Sequence, residues 1–433
     1  MFKDKRFLSE NMSIVKVKGW IHNIRILGKI AFVVVRNRDG LVQLTIKKSE
    51  NEELYSFTKE LGLEDVIEAS GIEVEKPKTK IGREIYPSEI KILSKSEQPV
   101  PIDVTGVTQA LLPTRLEWRP IDLRSPKNFF IFKVQSTIVE AAEEYLRKNN
   151  FLQVFTPAII GGVSEGGAEV FELDYFGRHA YLRQDPQLHR QLLMVAGFEK
   201  IFEIGPSWRA EKSYTRRHLC EHRGIAVELS FISDEYDVIK LEEELIYNIF
   251  RRLKEKYEDE FDKYGIDVEI PKKPFPVLEF PDIYEILRDM GKEIEYGSDY
   301  DTESEILLWK YVKEEYDSDL FFVNRFPFNV KPFYVMRVDE DPFWARSVDL
   351  LYKGIELSSG GQREHRYEKI IEQAKMKDIS IESIDWFVKH FRYGAPPHGG
   401  FNIGIERLTM QLLNIYNIRE AVLFPRDPER LLP

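Results

Sequence analysis

Cysteine is almost missing from this sequence: its 433 residues include one, Cys220. One thiol cannot form an internal disulfide, which excludes a cystine framework and suits a reducing compartment, the cytoplasm. Long apolar runs are missing too. No stretch approaches the roughly 20 residues a bilayer-spanning helix requires. The opening MFKDKRFLSENM also lacks the apolar segment of a secretion signal. No membrane partner is expected. Positive charge is in overall deficit, with a net charge of −11, which argues against a uniformly basic nucleic-acid coat. The deficit is uneven. Residues 1–50 carry 11 Lys/Arg against 4 Asp/Glu, a balance of +7, and leave −18 on the remainder. A polyanion would therefore be met locally, by the first part of the chain. Internal repeats and low-complexity segments are absent.

What is present fits a chain of more than one core, because 433 residues exceed an ordinary single domain. Alternating residues predict strands over Val15–Trp20, Ile30–Val35 and Val42–Lys47, with Arg38–Gly40 as a turn between the last two. Two more follow at Val66–Glu75 and Glu84–Leu93, with a helix over Glu52–Leu61. Five short strands in under 100 residues read as a small closed barrel of the OB type, assigned to residues 1–98. Such barrels often bind single-stranded nucleic acid by placing an aromatic, here Phe32, under a base. Gln98–Thr114 lacks periodicity and reads as linker, within a hinge over 99–130.

The rest, residues 131–433, mixes helices and strands. Val134, Ile138, Ala141 and Leu146 recur at helical spacing up to Asn149-Asn150. A strand is expected at Phe151–Phe155, then a mobile loop at Ser164-Glu165-Gly166-Gly167, and a long amphipathic helix over Asp237–Tyr257. Further strands are expected at Phe321–Val323, Phe333–Val338 and Ser347–Tyr352, then a helix at Ile381–Phe391 and a glycine-rich run at His398–Leu408. The fold class expected is multidomain α+β.

The densest chemistry lies in Trp208–Phe231, WRAEKSYTRRHLCEHRGIAVELSF. Two strand-like flanks joined by a loop with Arg209, Arg216, Arg217 and His218 make a hairpin whose tip suits a polyanion. Arginine holds phosphate or carboxylate bidentately and stays charged. A solvated hairpin with scattered ion pairs is the ordinary alternative.

These pieces together resemble a class II aminoacyl-tRNA synthetase. The helix, strand and Pro157 look like its motif 1, the dimer-forming element. Arg209–Glu211 and Arg217–Leu219 look like motif 2, and Gly404-Ile405-Glu406-Arg407-Leu408 like motif 3. The OB domain, Ser164–Gly167 and Gln184–Arg190 point to the aspartate/asparagine/lysine subgroup. Val348–Arg363 and Phe424–Pro433 resemble its archaeal aspartyl members. The resemblance implies an antiparallel catalytic sheet flanked by helices, a homodimer, and activation of L-aspartate with ATP followed by transfer to the 3′ end of tRNA(Asp), with tRNA(Asn) left open.

By the same resemblance, Arg209, Glu356 and Arg407 carry catalysis. ATP is held by Arg209, Ala210, Glu211, Arg217, His218, Leu219, Glu356, Gly404, Ile405, Glu406 and Arg407. Mg²⁺, a hard cation that prefers oxygen ligands, falls to Glu356, Ser359 and nearby Asp349. Aspartate falls to Glu165, Asp185, Gln187, Leu188, His189, Arg190, Arg209, Ser359 and Arg363. Two cations, Arg190 and Arg363, facing a substrate side chain favour aspartate over asparagine, since a neutral amide would leave charge unpaired.

The chain departs from the family pattern at four places. Asp185 replaces a serine, Ala226 a common aspartate, His222 a phenylalanine that stacks on adenine, and Asn402 a glycine. The first two lie near the substrate ammonium in the family, so an anionic anchor moved to Asp185 is one expectation and a drifted pocket another. In the barrel, His22, Phe32, Gln43 and Lys80 fall at anticodon-reading positions. His22 leans towards charging tRNA(Asn) as well, and Lys80 leans the other way. Rival readings are an asparaginyl ligase, a paralogue that makes asparagine without tRNA, and a binding protein with a degenerate site.

Overall fold

A computed structural model describes residues 14–162 and 169–433. The expected SEGG loop, with Glu165, lies outside the described residues. The chain divides into two units, residues 1–129 and 130–433.

The first unit is a closed barrel of β1 (Ile14–Leu27), β2 (Ile30–Asn37), β3 (Gly40–Lys47), β4 (Val66–Glu73) and β5 (Glu84–Ser94), in the order β1-β2-β3-β5-β4. Val17, Ile21, Val33, Val35, Leu44, Ile67 and Ile85 fill it, as period-2 alternation requires. Helix α1 (Glu52–Phe57) is capped by the Asn51 side chain, which accepts from the Leu54 N–H, and continues as a 3₁₀ turn to Glu60. Irregular chain then runs to α2 (Leu112–Glu117), which begins inside the stretch expected to be linker, and α3 (Arg119–Asp122).

The second unit is built on an eight-stranded sheet. It comprises β6 (Leu152–Gln153), β10 (Lys200–Trp208), β11 (Glu221–Ser230), β12 (Val277–Glu279), β13 (Leu320–Asn324), β14 (Ser347–Tyr352), β15 (Ile355–Arg363) and β16 (His398–Gly404). The order is β12-β13-β14-β15-β16-β11-β10-β6. The sheet is mixed rather than wholly antiparallel, because β6 and β12 at its two edges run parallel to their neighbours. A separate small sheet holds β7 (Ile159–Ile160), β8 (Glu172–Tyr175) and β9 (Arg178–Leu182). The strand expected over Phe151–Phe155 shrinks to β6. Phe333–Val338 is not a strand: the Val335 N–H turns back to the Pro332 carbonyl, and only single bridges, Val335 with Arg363 and Arg337 with Ala345, touch neighbours.

Helices α4 (Pro126–Lys148) and α6 (Glu235–Tyr264) cover one face of the sheet, with α11 (Ile405–Leu412) beside them. Val134, Ile138, Leu245, Ile249 and Leu253 pack there against Ile225, Val227, Val348, Leu350, Phe401 and Ile403. Helix α6 starts before its expected span, where Asp234 caps it; at Tyr257, the expected end, the backbone leaves helical geometry (φ −133°), and a further helical segment runs on to Gly265, at φ 65°. Two further clusters flank the sheet. One involves α5 (Gln187–Val195), α9 (Tyr367–Met376) and α10 (Ile381–Val388), and the other α7 (Phe280–Asp289) and α8 (Thr302–Tyr316). Since alternate strand residues point to opposite faces, the apolar set on the helix side leaves Gly224, Ala226, Glu228, Gly400, Asn402 and Gly404 on the other. That face carries the cavity.

Candidate active site

Strand register assembles the cavity floor. Ala226 lies opposite Asn402, Asn402 opposite Ser359, and Ser359 opposite Asp349, so four strands contribute one transverse row. The next row is Glu228, Gly400, Gly361 and Ser347. Glu356 and Ser359, three residues apart, would ordinarily point to opposite faces. The β14–β15 register shifts at Leu350/Leu351, so that Leu357 enters the helix-side core and Ser358 meets Glu242 of α6. Both Glu356 and Ser359 thereby reach the cavity. Bulges commonly re-aim side chains in this way.

The cavity measures about 470 Å³ and is lined by Arg209, Glu211, Arg217, His218, Leu219, Glu356, Ser359, Asp349, Arg363, Gly404, Glu406, Arg407, Asp185 and Gln187. Residues up to about 220 positions apart thus share one wall. Several expected contacts stand elsewhere. Leu188 is in the core with Phe333 and Phe387, and the His189 ring packs 5.2 Å from Trp386, because successive positions of α5 face different directions. Arg190 sits behind the wall, one helical turn beyond Gln187. Ala210 contributes a backbone N–H bonded to the Glu169 carbonyl, and Ile405 is buried in the sheet–helix core.

Charges on the wall are paired. Arg407 donates to the Glu356 carbonyl at 3.0 Å and to its carboxylate at 3.4 Å. Arg217 donates to Glu305 and to the Thr302 hydroxyl. Lys331 reaches Asp349 Oδ2 at 3.0 Å. At the other end, Arg363 donates to Glu228 at 3.2 Å and to Gln187 at 3.2 Å, and Gln187 donates to Glu228 at 3.0 Å. Arg190 pairs with Asp185 at 2.8 Å and Arg363 with Glu228 at 3.2 Å, so both of the expected cations are already countered by carboxylates of the protein. The motif-like hairpin tip is anchored by Arg419, which donates to the Thr215 carbonyl at 2.8 Å and stacks 3.9 Å from the Tyr214 ring.

Burial shapes the protonation states. Burial, reinforced by Arg209 and Arg407, lowers His222 to about 4, so its imidazole is neutral near pH 7. Burial also lowers His218, with Arg407 adding to it. Asp349 is raised to about 6 by burial, with Lys331 pulling it back and Glu356 adding to the rise.

Among the described residues no set of three or more His, Cys, Asp or Glu is placed to hold a metal. The donor set nonetheless suits Mg²⁺. Asp349 Oδ1 is buried without a hydrogen-bond partner, and Glu356 and Ser359 line the same cavity. Magnesium usually takes one or two carboxylates and completes its shell with phosphate and water.

Sequence reasoning missed Asp299, Tyr300, Glu305, Lys331 and Tyr334, which also line the cavity. They come from segments with no local signature, and no signal along the chain marks them.

In the barrel unit, Phe32, Gln43 and Lys80 share one cavity with Asn23, Arg25, Lys47, Lys78, Thr79, Glu84 and Tyr86. Gln43 is pinned there: it donates to Thr45 at 3.1 Å and accepts from Thr79 at 3.1 Å. His22 does not line this cavity. The β1–β2 register shifts between Ile21 and Asn23, and the ring lies 3.1 Å from Arg36, itself paired with Glu64 at 2.7 Å.

A model of class II tRNA synthetases (D, K and N) matches residues 112–428, and one of the OB-fold nucleic acid binding domain matches residues 15–93. The aspartate–tRNA(Asp) ligase of Pyrococcus horikoshii is 45% identical over 420 residues, covering 97% of this chain and 96% of that one. The aspartate–tRNA(Asp/Asn) ligase of Aeropyrum pernix is 40% identical over 422 residues, covering 97% and 95%. Among solved structures, asparaginyl-tRNA synthetase from Pyrococcus horikoshii complexed with asparaginyl-adenylate has a TM-score of 0.91 at 32% identity, covering 98% and 97%. A putative aspartyl-tRNA synthetase from Leishmania major has a TM-score of 0.86 at 30% identity, covering 97% and 92%. With a family model matched across its larger unit and relatives aligned nearly end to end, this chain belongs to the class II tRNA synthetases of the D, K and N group.

Proposed function

We propose that the chain is an aspartate–tRNA ligase that forms aspartyl-adenylate from L-aspartate and ATP and then esterifies the 3′ end of tRNA(Asp). One observation carries this reading. A single cavity is lined by Arg209, His218, Arg217 and Arg407 and also by Arg363 and Gln187, which both donate to the buried Glu228 behind them. In the first step an α-carboxylate oxygen of aspartate attacks the α-phosphorus, the bond to the β-phosphate bridging oxygen breaks, and pyrophosphate leaves. Negative charge spreads over the phosphoryl oxygens, so positioned cations lower the barrier without a covalent nucleophile. Arg209 holds the reacting carboxylate and α-phosphate, Arg407 and Arg217 the distal phosphates, and neutral His222 offers its ring to the adenine. Glu356, Ser359 and Asp349 would hold Mg²⁺, which would supply charge neutralisation of the phosphates.

Arg363 takes the substrate's side-chain carboxylate. Aspartate is favoured over asparagine because Arg363 can only donate: both oxygens of a carboxylate accept from it, whereas the NH₂ end of an amide would set donor against donor. The relatives named as aspartate ligases support the same choice. The barrel, with Phe32, Gln43 and Lys80, reads the anticodon. We assign a homodimer on the exposed apolar edge near β6, where Leu152 and Phe155 are 53% and 81% exposed, and a cytoplasmic location. No described helix is long and apolar enough to cross a membrane.

Pyrophosphate exchange with aspartate and with asparagine, followed by charging of tRNA(Asp) and tRNA(Asn), tests the reading. Exchange with aspartate and charging of tRNA(Asp) are expected. Exchange with asparagine alone would replace the reading with an asparaginyl ligase, and exchange with neither would replace it with a binding protein. Charging of tRNA(Asn) would establish the dual substrate range to which His22 leans.

A further inference from the structure

Arg190 is a buried cation that the reaction outlined above leaves unused. It stands on α5, is 1% exposed and does not line the cavity. Its Nη2 lies 2.8 Å and 2.9 Å from the two Asp185 oxygens and donates to Gln187 Oε1 at 2.8 Å. Gln187 and Arg190, three residues apart, share a face of α5, so both contacts come from one short stretch of chain. A guanidinium buried with a carboxylate is held firmly, because losing either partner would leave the other charge uncompensated.

From Gln187 the contacts continue to the cavity wall. Gln187 Oε1 also accepts from Arg363 Nη2 at 3.2 Å, while its Nε2 donates to Glu228 Oε2 at 3.0 Å. Arg363 Nε donates to Glu228 Oε1 at 3.2 Å, and its Nη2 to the Gly400 carbonyl at 3.0 Å. Space for the Glu228 carboxylate depends on glycine at 400, where a Cβ would lie 2.6 Å from Oε2. These partners fix which way the Gln187 amide faces. Turned over, it would set its N–H groups against two guanidiniums and its carbonyl against a carboxylate. Arg190 supplies the shortest of the three bonds that hold it. The hydrogen bonds of Arg363 use Nε and Nη2, which leaves Nη1 for a substrate carboxylate in the cavity that Arg363 lines.

We propose that Arg190 is a positioning residue for the choice of amino acid: countered by Asp185 and touching no substrate, it locks the Gln187 amide and so holds Arg363 with Nη1 towards the substrate's side-chain carboxylate. Asp185 is then the counter-ion of Arg190, and the preference for an acid falls to one aimed guanidinium. This assignment rests on the aspartate-activating reading of the cavity.

Pyrophosphate exchange with aspartate and with asparagine, in wild type, Arg190→Met, Gln187→Leu and the double variant, tests the lock. Loss of a hydrogen bond from a charged group predicts that Arg190→Met lowers kcat/KM for aspartate about tenfold. The aspartate-to-asparagine preference should fall with it, and KM for ATP should stay unchanged. In the Gln187→Leu background the same substitution should change the preference by less than about twofold, because the residue that transmits the effect is gone. Asp185→Asn combined with Arg190→Met removes both charges of the pair, so it carries the same test where Arg190→Met alone fails to fold. That double variant should show the tenfold loss of kcat/KM for aspartate and no more. A further tenfold loss would make Asp185 a substrate contact and overturn the assignment. An unchanged kcat/KM for aspartate in Arg190→Met, an equal loss for asparagine, a matching rise in KM for ATP, or an undiminished effect in the Gln187→Leu background each overturns it too. Absence of aspartate exchange in the wild type overturns the functional reading instead, so the two failures are distinguishable. Thermal melting of each variant separates loss of folding from loss of preference.

Discussion

The two units build their candidate polyanion sites in different ways. The barrel site is built on neighbouring strands: Phe32, Gln43 and Glu84 come from β2, β3 and β5, and Lys47, Lys78 and Lys80 supply the charge. The catalytic cavity gathers residues from Gln184 to Ile418, and most of its cations are already opposed by a carboxylate. The barrel site carries its charge on partly exposed side chains, where an ion pair such as Lys47–Glu50 contributes little. A deep site must pair its charges, because desolvation of an isolated ion exceeds what one contact returns.

Removing half of a buried pair should therefore do the largest damage. Arg363→Leu leaves Glu228 buried and unpaired. Breaking such pairs costs about 3–5 kcal/mol of folding stability, and losing the charged contact to the substrate's side chain should lower aspartate affinity, measured by exchange kinetics, by about a hundredfold while ATP affinity changes little. An exposed-site response, under tenfold, would remove the contrast between the units.

The next effect is on stability. Burial raises Glu242 to about 8, and its Oε2 has no hydrogen-bond partner. A carboxyl whose folded pKa exceeds its unfolded value contributes fully at low pH, and that contribution is lost as pH rises from about 4.5 towards 8. Glu242→Gln should raise the melting temperature at pH 8 and leave it nearly unchanged at pH 4.5. His222 works in the opposite sense. Its folded pKa of about 4 lies below 6.5, so its contribution is present above pH 6.5 and fades as pH falls towards 4. His222→Phe should flatten that acid limb in thermal melts.

In the barrel the effects should be confined to tRNA. Gln43→Ala removes a side chain held by Thr45 and Thr79. A KM for tRNA raised about tenfold, with unchanged pyrophosphate exchange, is expected for the loss of one positioned contact. The smallest effect is expected at Lys47, a half-buried residue paired with Glu50 at 2.8 Å. Lys47→Ala should shift stability by under about 0.5 kcal/mol and lower the salt slope of tRNA binding by roughly 0.7.

Much of this was legible along the chain. Alternation in the barrel strands and the 3.6-residue repeat of α4 and α6 need only local sequence, because burial on one face imposes those periods. Resemblance to the family's motifs and segments brought Arg209, Arg217, Glu356, Arg363 and Arg407 into view together, and all five line the one cavity. Phe333–Val338 misled because β-rich composition cannot reveal the turn that Pro332 imposes. Leu188 and His189 misled because a contiguous motif on a helix spreads its side chains around the axis. Asp299, Tyr300, Glu305 and Lys331 stayed invisible, since each reaches the cavity through a segment that says nothing locally about its destination.

The sequence by itself determined that two units exist, that one is a five-stranded barrel, and that the other carries the three motifs of a class II tRNA synthetase. Only the tertiary structure decided which charges face which. Register set Asn402 beside Ala226 and Ser359, a bulge turned Glu356 and Ser359 to one side, and α5 placed Arg190 behind Asp185. The physical reason is that periodicity is local, whereas strand pairing is a long-range choice. A shift of one residue in that pairing would have turned the opposite face of each strand towards the substrate.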